Sequence, residues 1–550
     1  MKRFTYLPPK FIGLLLLVFM FNIGSVIAQG FSQQTQDKLQ QVLQSFQNDP
    51  SFVGGMSAAI KVDGLAFWQG ATGYAARNVD AQNNLLPGGT PFTTSTLSRI
   101  FSVTKTFTAS LVLELAREGK FSLNDPVSTY LPLGIINPNL NSSVTIRQLL
   151  DHESGYSDYE RDEIQFQIAV AFQPTHIWTA FEVLSFTHQL TAPGSVRHYS
   201  STNYAMLGAI IEVATGKPVE QYYRERFFTP LNLSSMYLSI REPQPAGTTL
   251  ASPHENIAAF NPIFQLTGQP TFPDAYTNIY RFPYDGIASA AFTTGGIVSN
   301  VKDVAEWGNA LFNGRATSKA TLDSMLNSLS STPDAQGDYL GYGIWKSTRM
   351  SSTETFIGHD GNAPGYRSVM YYQPDKKLTI AILTNFNGAD IYAIAKALYA
   401  ALPDFTGGNP NRKEDKIKLC FNGNSIMVDR NAAGGFIKKG AYLGDCEAGD
   451  AKRANPKDAI IKLSKNSLEV FPNPSYGQVY LSFIADKTGP ATVDLYDANG
   501  KLASNVFRGN LEKGITKEMV FQKGRLAAGV YVAILKTSSG VVQQKIVINN

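Results

Sequence analysis

Apolar residues recur along this chain with two different periods, and the change of period marks its parts. Between Gln33 and Phe46, Leu39, Val42, Leu43 and Phe46 return at helical spacing. Met56 to Val62 and Leu65 to Tyr74 read as two strands about an Asp63-Gly64 turn. A helical middle follows: Lys105 to Arg117 is apolar-rich, Thr145 to Leu150 is short, and Tyr204 to Ala214 is periodic. Arg367 to Tyr372 and Leu378 to Leu383 form a second hairpin across Pro374-Asp375-Lys376-Lys377, and Asp390 to Leu402 closes the region as a helix. Strands at both ends with helices between them predict an α/β fold, an antiparallel sheet flanked by helices with a helical subdomain. From Leu468 the period shortens. Gln478 to Phe483, Ala491 to Tyr496, Gly529 to Lys536 and Val541 to Ile548 alternate as short strands, with turns such as Asp497-Ala498-Asn499-Gly500, and predict a small C-terminal β-sandwich.

The first 28 residues stand apart. Lys2, Arg3 and Lys10 precede an apolar run from Phe11, and Val26-Ile27-Ala28 supplies the small residues that a signal peptidase reads. A membrane anchor is the competing reading. The run to Ile27 is slightly short for a span and is interrupted by Asn22 and Gly24, so a cleaved leader at 1–28 and a mature start at Gln29 are expected. No cysteine follows the run to carry lipid, and no later segment is apolar enough to span a bilayer. Discounting the three leader cations leaves +1 of the formal +4, which gives no footprint for a nucleic acid. At 550 residues the chain is too long for one core. Boundaries are expected at 31–402 for the first globular part, 403–458 for a polar linker with a small Cys-bounded module, and 459–550 for the tail. In an oxidising compartment Cys420 and Cys446 most simply form one disulfide; two buried free thiols are the alternative, and no histidine lies near either to complete a metal site.

Candidate chemistry begins at Ser102, three residues before Lys105 at the start of an apolar helix, where positions three apart share a face. A serine hydroxyl needs an adjacent base, and a buried lysine can lose its proton and serve as one. The spacing recurs at Ser299-Asn300-Val301-Lys302, so the pair alone is weak evidence. Its surroundings decide. Ser98 to Pro132, Leu123-Asn124-Asp125-Pro126-Val127, Thr145 to His152 and Gly295-Gly296-Ile297-Val298-Ser299 resemble the β-lactamase and penicillin-binding superfamily of serine hydrolases. The resemblance implies a second element bearing a proton carrier. Tyr199-Ser200-Ser201, followed by a helix, resembles the family's Tyr-x-Asn stretch, with Ser201 where Asn is usual and Asn203 available for part of its task. A literal match at Tyr276-Thr277-Asn278 lacks the following helix.

The third element is Gly358-His359-Asp360-Gly361-Asn362, which resembles the family's Lys-Thr-Gly strand in its His-x-Gly form. The resemblance implies that the backbone N–H of Asn362 joins that of Ser102 as an oxyanion hole. Histidine is mostly neutral at pH 7, and Asp360 beside it either raises its pKa or repels a carboxylate. Arg367 is left as a cation for substrate or for a structural ion pair. His152 lies in the family-like stretch at the border of the cleft. The family's His-x-Gly members imply a D-Ala-D-Ala carboxypeptidase-like enzyme or a related D-amino-acid peptidase rather than a true β-lactamase. A carboxylesterase of the same fold and a non-catalytic penicillin-binding-type protein are the alternatives. The expected ligand is a small molecule or peptide with an acyl carbonyl, and acyl transfer through serine calls for no cofactor or metal. The loops Glu160 to Gln173 and Pro243 to Asp285, which would line the acyl pocket, carry no readable pattern.

The tail reads as an address. Val470-Phe471-Pro472-Asn473-Pro474-Ser475-Tyr476-Gly477, Leu495-Tyr496-Asp497-Ala498-Asn499-Gly500-Lys501, Gly529-Val530-Tyr531 and Lys545-Ile546-Val547-Ile548 resemble the sorting domain of type IX secretion in Bacteroidetes. That implies secretion machinery as a partner and export through the periplasm to the surface or beyond, the tail kept or removed there. The rival reading is a β-sandwich that binds sugar or peptide.

Overall fold

In the computed structural model the described residues are 30–406, 415–447, 466–471, 478–498, 500–513, 516–522 and 526–548. The expected leader, residues 407–414 and 448–465, and part of the tail's opening motif lie outside them. The chain divides into two compact units: Met1–Ile417 with Val428–Leu443, and Lys418–Met427 with Gly444–Asn550. Among the described residues no helix is long and apolar enough to cross a membrane.

The first unit is built on one antiparallel sheet. Its strands are β1 (Gly55–Val62), β2 (Ala66–Val79), β3 (Leu85–Pro91), β4 (Asp338–Leu340), β5 (Trp345–Ser347), β6 (Ile357–Ala363), β7 (Tyr366–Gln373) and β8 (Leu378–Thr384), in the spatial order β3-β2-β1-β8-β7-β6-β5-β4. Gly64, at φ +67°, turns β1 into β2. Strands from opposite ends of the unit meet where Met56 pairs with Thr384 and Val62 with Leu378. Helices α1 (Gln33–Gln47) and α6 (Ile391–Ala400) pack on β1, β2, β7 and β8, and α5 (Val301–Phe312) also packs on β1, β7 and β8. Every residue of β8 is buried, as a strand covered on both faces requires. Ser32 caps α1 by accepting from Thr35 N at 3.1 Å, and a capping box at Thr145 and Gln148 starts the short helix Ile146–Leu150.

Between β3 and β4 lies the helical part, organised around α2 (Thr104–Arg117), α3 (Ser201–Thr215) and α4 (Asp285–Gly295). Phe107 on α2 stacks on Trp307 at 3.7 Å, whose indole N–H donates to Thr106 at 2.7 Å. The second Ser-x-x-Lys match has a structural use. Ser299 ends a short strand paired with Ser98, Asn300 caps α5 through Asp303 N, and Lys302 is exposed.

The second unit holds two antiparallel sheets. Ser467–Phe471, Gln478–Ile484 and Thr516–Gln522 form one; Leu502–Leu511, Gly489–Asp497, Gly529–Thr537 and Gly540–Ile548, in that spatial order, form the other. Phe483 and Leu481 from the first share a core with Val493, Leu495, Leu535 and Ile546 from the second. Cys420 and Cys446 are joined by a disulfide with their Cα atoms 4.7 Å apart.

Candidate active site

Ser102 lies in a single 3₁₀ turn, Phe101–Val103, immediately before α2. The turn is held at both ends. Ser98 and Arg99 pair with Ser299 and Val298, and Ile100 N donates to Ile297 O at 3.0 Å. Phe101 adopts φ +41°, a left-handed conformation that a bulky residue accepts only when its surroundings impose it.

One helical turn on, Lys105 is fully buried with its Nζ 3.0 Å from Ser102 Oγ, 2.9 Å from Thr294 O and 3.5 Å from Ser201 Oγ. Burial pushes its pKa down to about 8, against the raising effect of Glu160 and Asp158. Ser201 donates to Glu160 Oε2 at 2.9 Å, so Lys105, Ser201 and Glu160 form a chain. Burial, and then the neighbouring Glu160, raises the Asp158 carboxyl above the usual carboxylate range.

Tyr199, just before α3, stacks on His152 with ring centroids 4.5 Å apart and lies beneath the Lys105 ammonium at 5.1 Å. Its hydroxyl is buried and has no hydrogen-bond partner of good geometry among the described residues. Burial raises its pKa, with the Arg161 charge and the nearby Ser102 hydroxyl opposing. His152 is buried at φ +56°; its Nδ1 accepts from Ser200 N at 3.1 Å, which places the proton of the neutral ring on Nε2. Asn203, expected to share the task of the missing Asn, bonds instead to Ser154 at 2.6 Å and His152 at 3.3 Å. Ser201 with Glu160 occupies the place at Lys105. The literal Tyr276-Thr277-Asn278 match is set apart from Lys105: Thr277 and Asn278 pair with Glu255 and His254, and Tyr276 packs on Phe386.

His359, Gly361 and Asn362 come from β6. Pairing with β5 stops at Gly358, so the rest of β6 has one edge uncovered, and this strand packs against the Ser102 turn. Gly361 is required there, since a Cβ would lie 2.3 Å from Ile100 O and 2.4 Å from Ser368 Oγ. His359 is fully buried, with its ring 4.2 Å from that of Trp345 and Nδ1 2.5 Å from Asp360 O. Burial, and then the Lys105 charge, lowers its pKa well below the usual value. Neighbouring strand residues point to opposite faces, so the Asp360 carboxyl meets Arg349 and Tyr392, and it is the Asp360 backbone carbonyl at the ring that opposes the lowering. Asn362 is exposed at the rim. Arg367 donates to Ala389 O at 3.2 Å; the guanidinium at the site is that of Arg161, 4.9 Å from the Tyr199 ring.

Beside Ser102 opens a cavity of about 320 Å³ whose wall includes Phe101, Glu160, Arg161 and Asn362. Glu160 and Arg161 open the loop Glu160 to Gln173, which is expected to line the acyl pocket but carries no pattern in the sequence that points to either residue. The chemistry available is acyl transfer: a nucleophile, a buried amine within reach of its proton, and a phenol beside both. Among the described residues no cluster of three or more histidine, cysteine or acidic side chains could hold a metal ion.

The family profile described as Beta-lactamase matches residues 40–402, more than half of the chain. The chain belongs to the beta-lactamase family. Its end, residues 469–549, matches the secretion system C-terminal sorting domain, which indicates export. Protein flp of Staphylococcus aureus (strain N315) is 25% identical over 360 residues, 64% of this chain and 64% of that protein's own length. Among solved structures, a D-stereospecific amidohydrolase from Streptomyces sp. is 26% identical with a TM-score of 0.52, covering 67% of this chain and 98% of that one. The D-amino acid amidase of Ochrobactrum anthropi SV3, complexed with L-phenylalanine amide, is 25% identical at a TM-score of 0.52, covering 67% and 96%. The antiparallel sheet flanked by helices is the fold of this family.

Proposed function

We propose that this chain hydrolyses amides or peptides of D-amino acids through an acyl-enzyme at Ser102. The observation that carries the reading is the buried Lys105 amine 3.0 Å from the Ser102 hydroxyl. A neutral lysine has one lone pair and two N–H groups. Here the lone pair takes the Ser102 proton while the N–H groups donate to Thr294 O and Ser201 Oγ, so the amine is aimed by its own hydrogen bonds. Ser102 Oγ attacks the carbonyl, and the backbone N–H groups of Ser102 and Asn362 stabilise the oxyanion. Tyr199, kept as a phenol by burial, passes the proton to the leaving amine. Water then enters, loses its proton to the same groups and releases the acyl product.

The choice of D-amino-acid amides over β-lactams rests on His359. A neutral imidazole on β6 provides no fixed charge for a carboxylate. Glu160, at the cavity wall, has lone pairs left for a free α-amino group. The likeness to amidohydrolases that act on D-substrates supports the same choice. The sorting domain, with an expected leader at 1–28, supports type IX export through the periplasm to the surface or beyond. Residues 31–402 would then be the hydrolase, 403–458 a linker with the Cys-bounded module, and 459–550 the sorting domain.

The test is hydrolysis by residues 29–550 beside Ser102→Ala, on a D-amino-acid amide, a diacylated D-Ala-D-Ala peptide, a short-chain nitrophenyl ester and a chromogenic cephalosporin. Ser102-dependent turnover fastest on the amide supports the reading. Ser102-dependent turnover fastest on the ester or cephalosporin replaces the substrate class, and turnover unaffected by the substitution removes the mechanism.

A further inference from the structure

The cavity beside Ser102 is much larger than an alanyl methyl group needs. Its deep wall is hydrocarbon: Phe166 and Val170 from the helix Ile164–Phe172 face Ile257, Phe264, Phe282 and Ile287 across about 320 Å³. Polar side chains are confined to the reaction end, and several of them are held by the protein. The Gln167 amide donates to Glu160 O at 3.0 Å, Glu160 takes the Ser201 hydroxyl at 2.9 Å, and Arg161 covers the Tyr199 ring. Phe101, adjacent to the nucleophile, and Asn362 belong to the wall, whereas Ser102, Lys105 and Tyr199 do not. A leaving group must meet the proton donor at Tyr199, so the cavity faces the acyl side of the scissile bond.

We propose that this cavity is an acyl-side subsite for a bulky apolar side chain, aromatic or of similar size, and that residues as small as alanine are poor substrates. The proposal rests on the reading that Ser102 is the nucleophile. An apolar hollow left unfilled gains no dispersion contacts and holds water poorly, so a methyl group forfeits what a benzyl group gains. Full burial of such a ring corresponds to a preference of roughly 10- to 100-fold.

Two arms test it on the full chain. In the first, kcat/KM is compared for the 4-nitroanilides of D-phenylalanine and D-alanine, and for the nitrophenyl esters of 3-phenylpropanoate and acetate. The phenyl-bearing member of each pair is expected to lead by roughly 10- to 100-fold. Ala171→Phe, which narrows the cavity, shrinks both ratios. The second arm needs no turnover: calorimetric binding of D-phenylalanine amide and D-alanine amide to Ser102→Ala, with the first binding tighter by a similar factor. Ratios near one, or a preference for the methyl-bearing ligand, in either arm overturn the subsite. Selective binding without Ser102-dependent turnover supports the subsite while overturning the serine mechanism.

Discussion

The turn that carries Ser102 borders two regions that are built differently. On one side is a polar corner in which Lys105, Ser201, Glu160 and Thr294 are linked at 2.9 to 3.5 Å, and Gly361 passes so close to the nucleophile's turn that no Cβ fits. On the other is a cavity walled mainly by aliphatic and aromatic side chains, which attract whatever fills it and set no bond direction. Hydrogen bonds weaken steeply with misalignment, whereas hydrophobic burial scales smoothly with area. In the proposed mechanism the corner therefore determines whether the reaction occurs, and the cavity determines on what. One added carbon should be ruinous in the first region and modest in the second.

Ser102→Ala is the sharpest break. It should lower kcat/KM by at least ~10⁴-fold on every substrate, measured with the chain's folding checked by circular dichroism. Gly361→Ala should follow at roughly 10²-fold, because the added Cβ displaces β6 from the Ser102 turn and with it the oxyanion donor. That loss should be the same for large and small acyl groups; unequal losses would erase the distinction between the regions. Glu160→Gln tests the border. Lys105 works as a base only when unprotonated, so kcat/KM should rise with pH through about 8. Glu160 raises the lysine's pKa, so on a nitrophenyl ester without an α-amino group the variant's rising limb should move to lower pH, with less than a tenfold change on the alkaline plateau. A limb that stays in place would detach Glu160 from the corner. Val170→Ala should have the smallest effect, roughly 3- to 10-fold in kcat/KM and confined to bulky acyl groups.

The same contrast governs what was legible in the sequence. Ser102 and Lys105 are three residues apart, a spacing that Ser299 and Lys302 share, and Tyr199 precedes a helix; it is the resemblance of their surroundings to a known family that points to these three. Four of the described tail strands show through alternation; Ser467–Phe471, Leu502–Leu511 and Thr516–Gln522 do not, and Leu502–Leu511 runs along a sheet edge with much of its length exposed. Glu160 opens a loop without a readable pattern, and only the fold turns it towards Ser201. The helix Ile164–Phe172 was hidden as well. Its apolar residues occupy both sides: Phe166 and Val170 line the cavity while Ile164, Ile168 and Phe172 are exposed at 57%, 37% and 44%, so no helical stripe stands out. Contacts such as that of Gly361 with Ile100, or His152 beneath Tyr199, join distant segments, and no spacing rule reaches them.

The central claim is a covalent one, and mass spectrometry reads it directly. The chain is mixed with a slowly deacylating nitrophenyl ester, quenched in acid and digested. An acyl mass increment on Ser102, absent from Ser102→Ala, is the predicted result. Turnover with no adduct on Ser102, or an adduct that survives the substitution, would contradict the account.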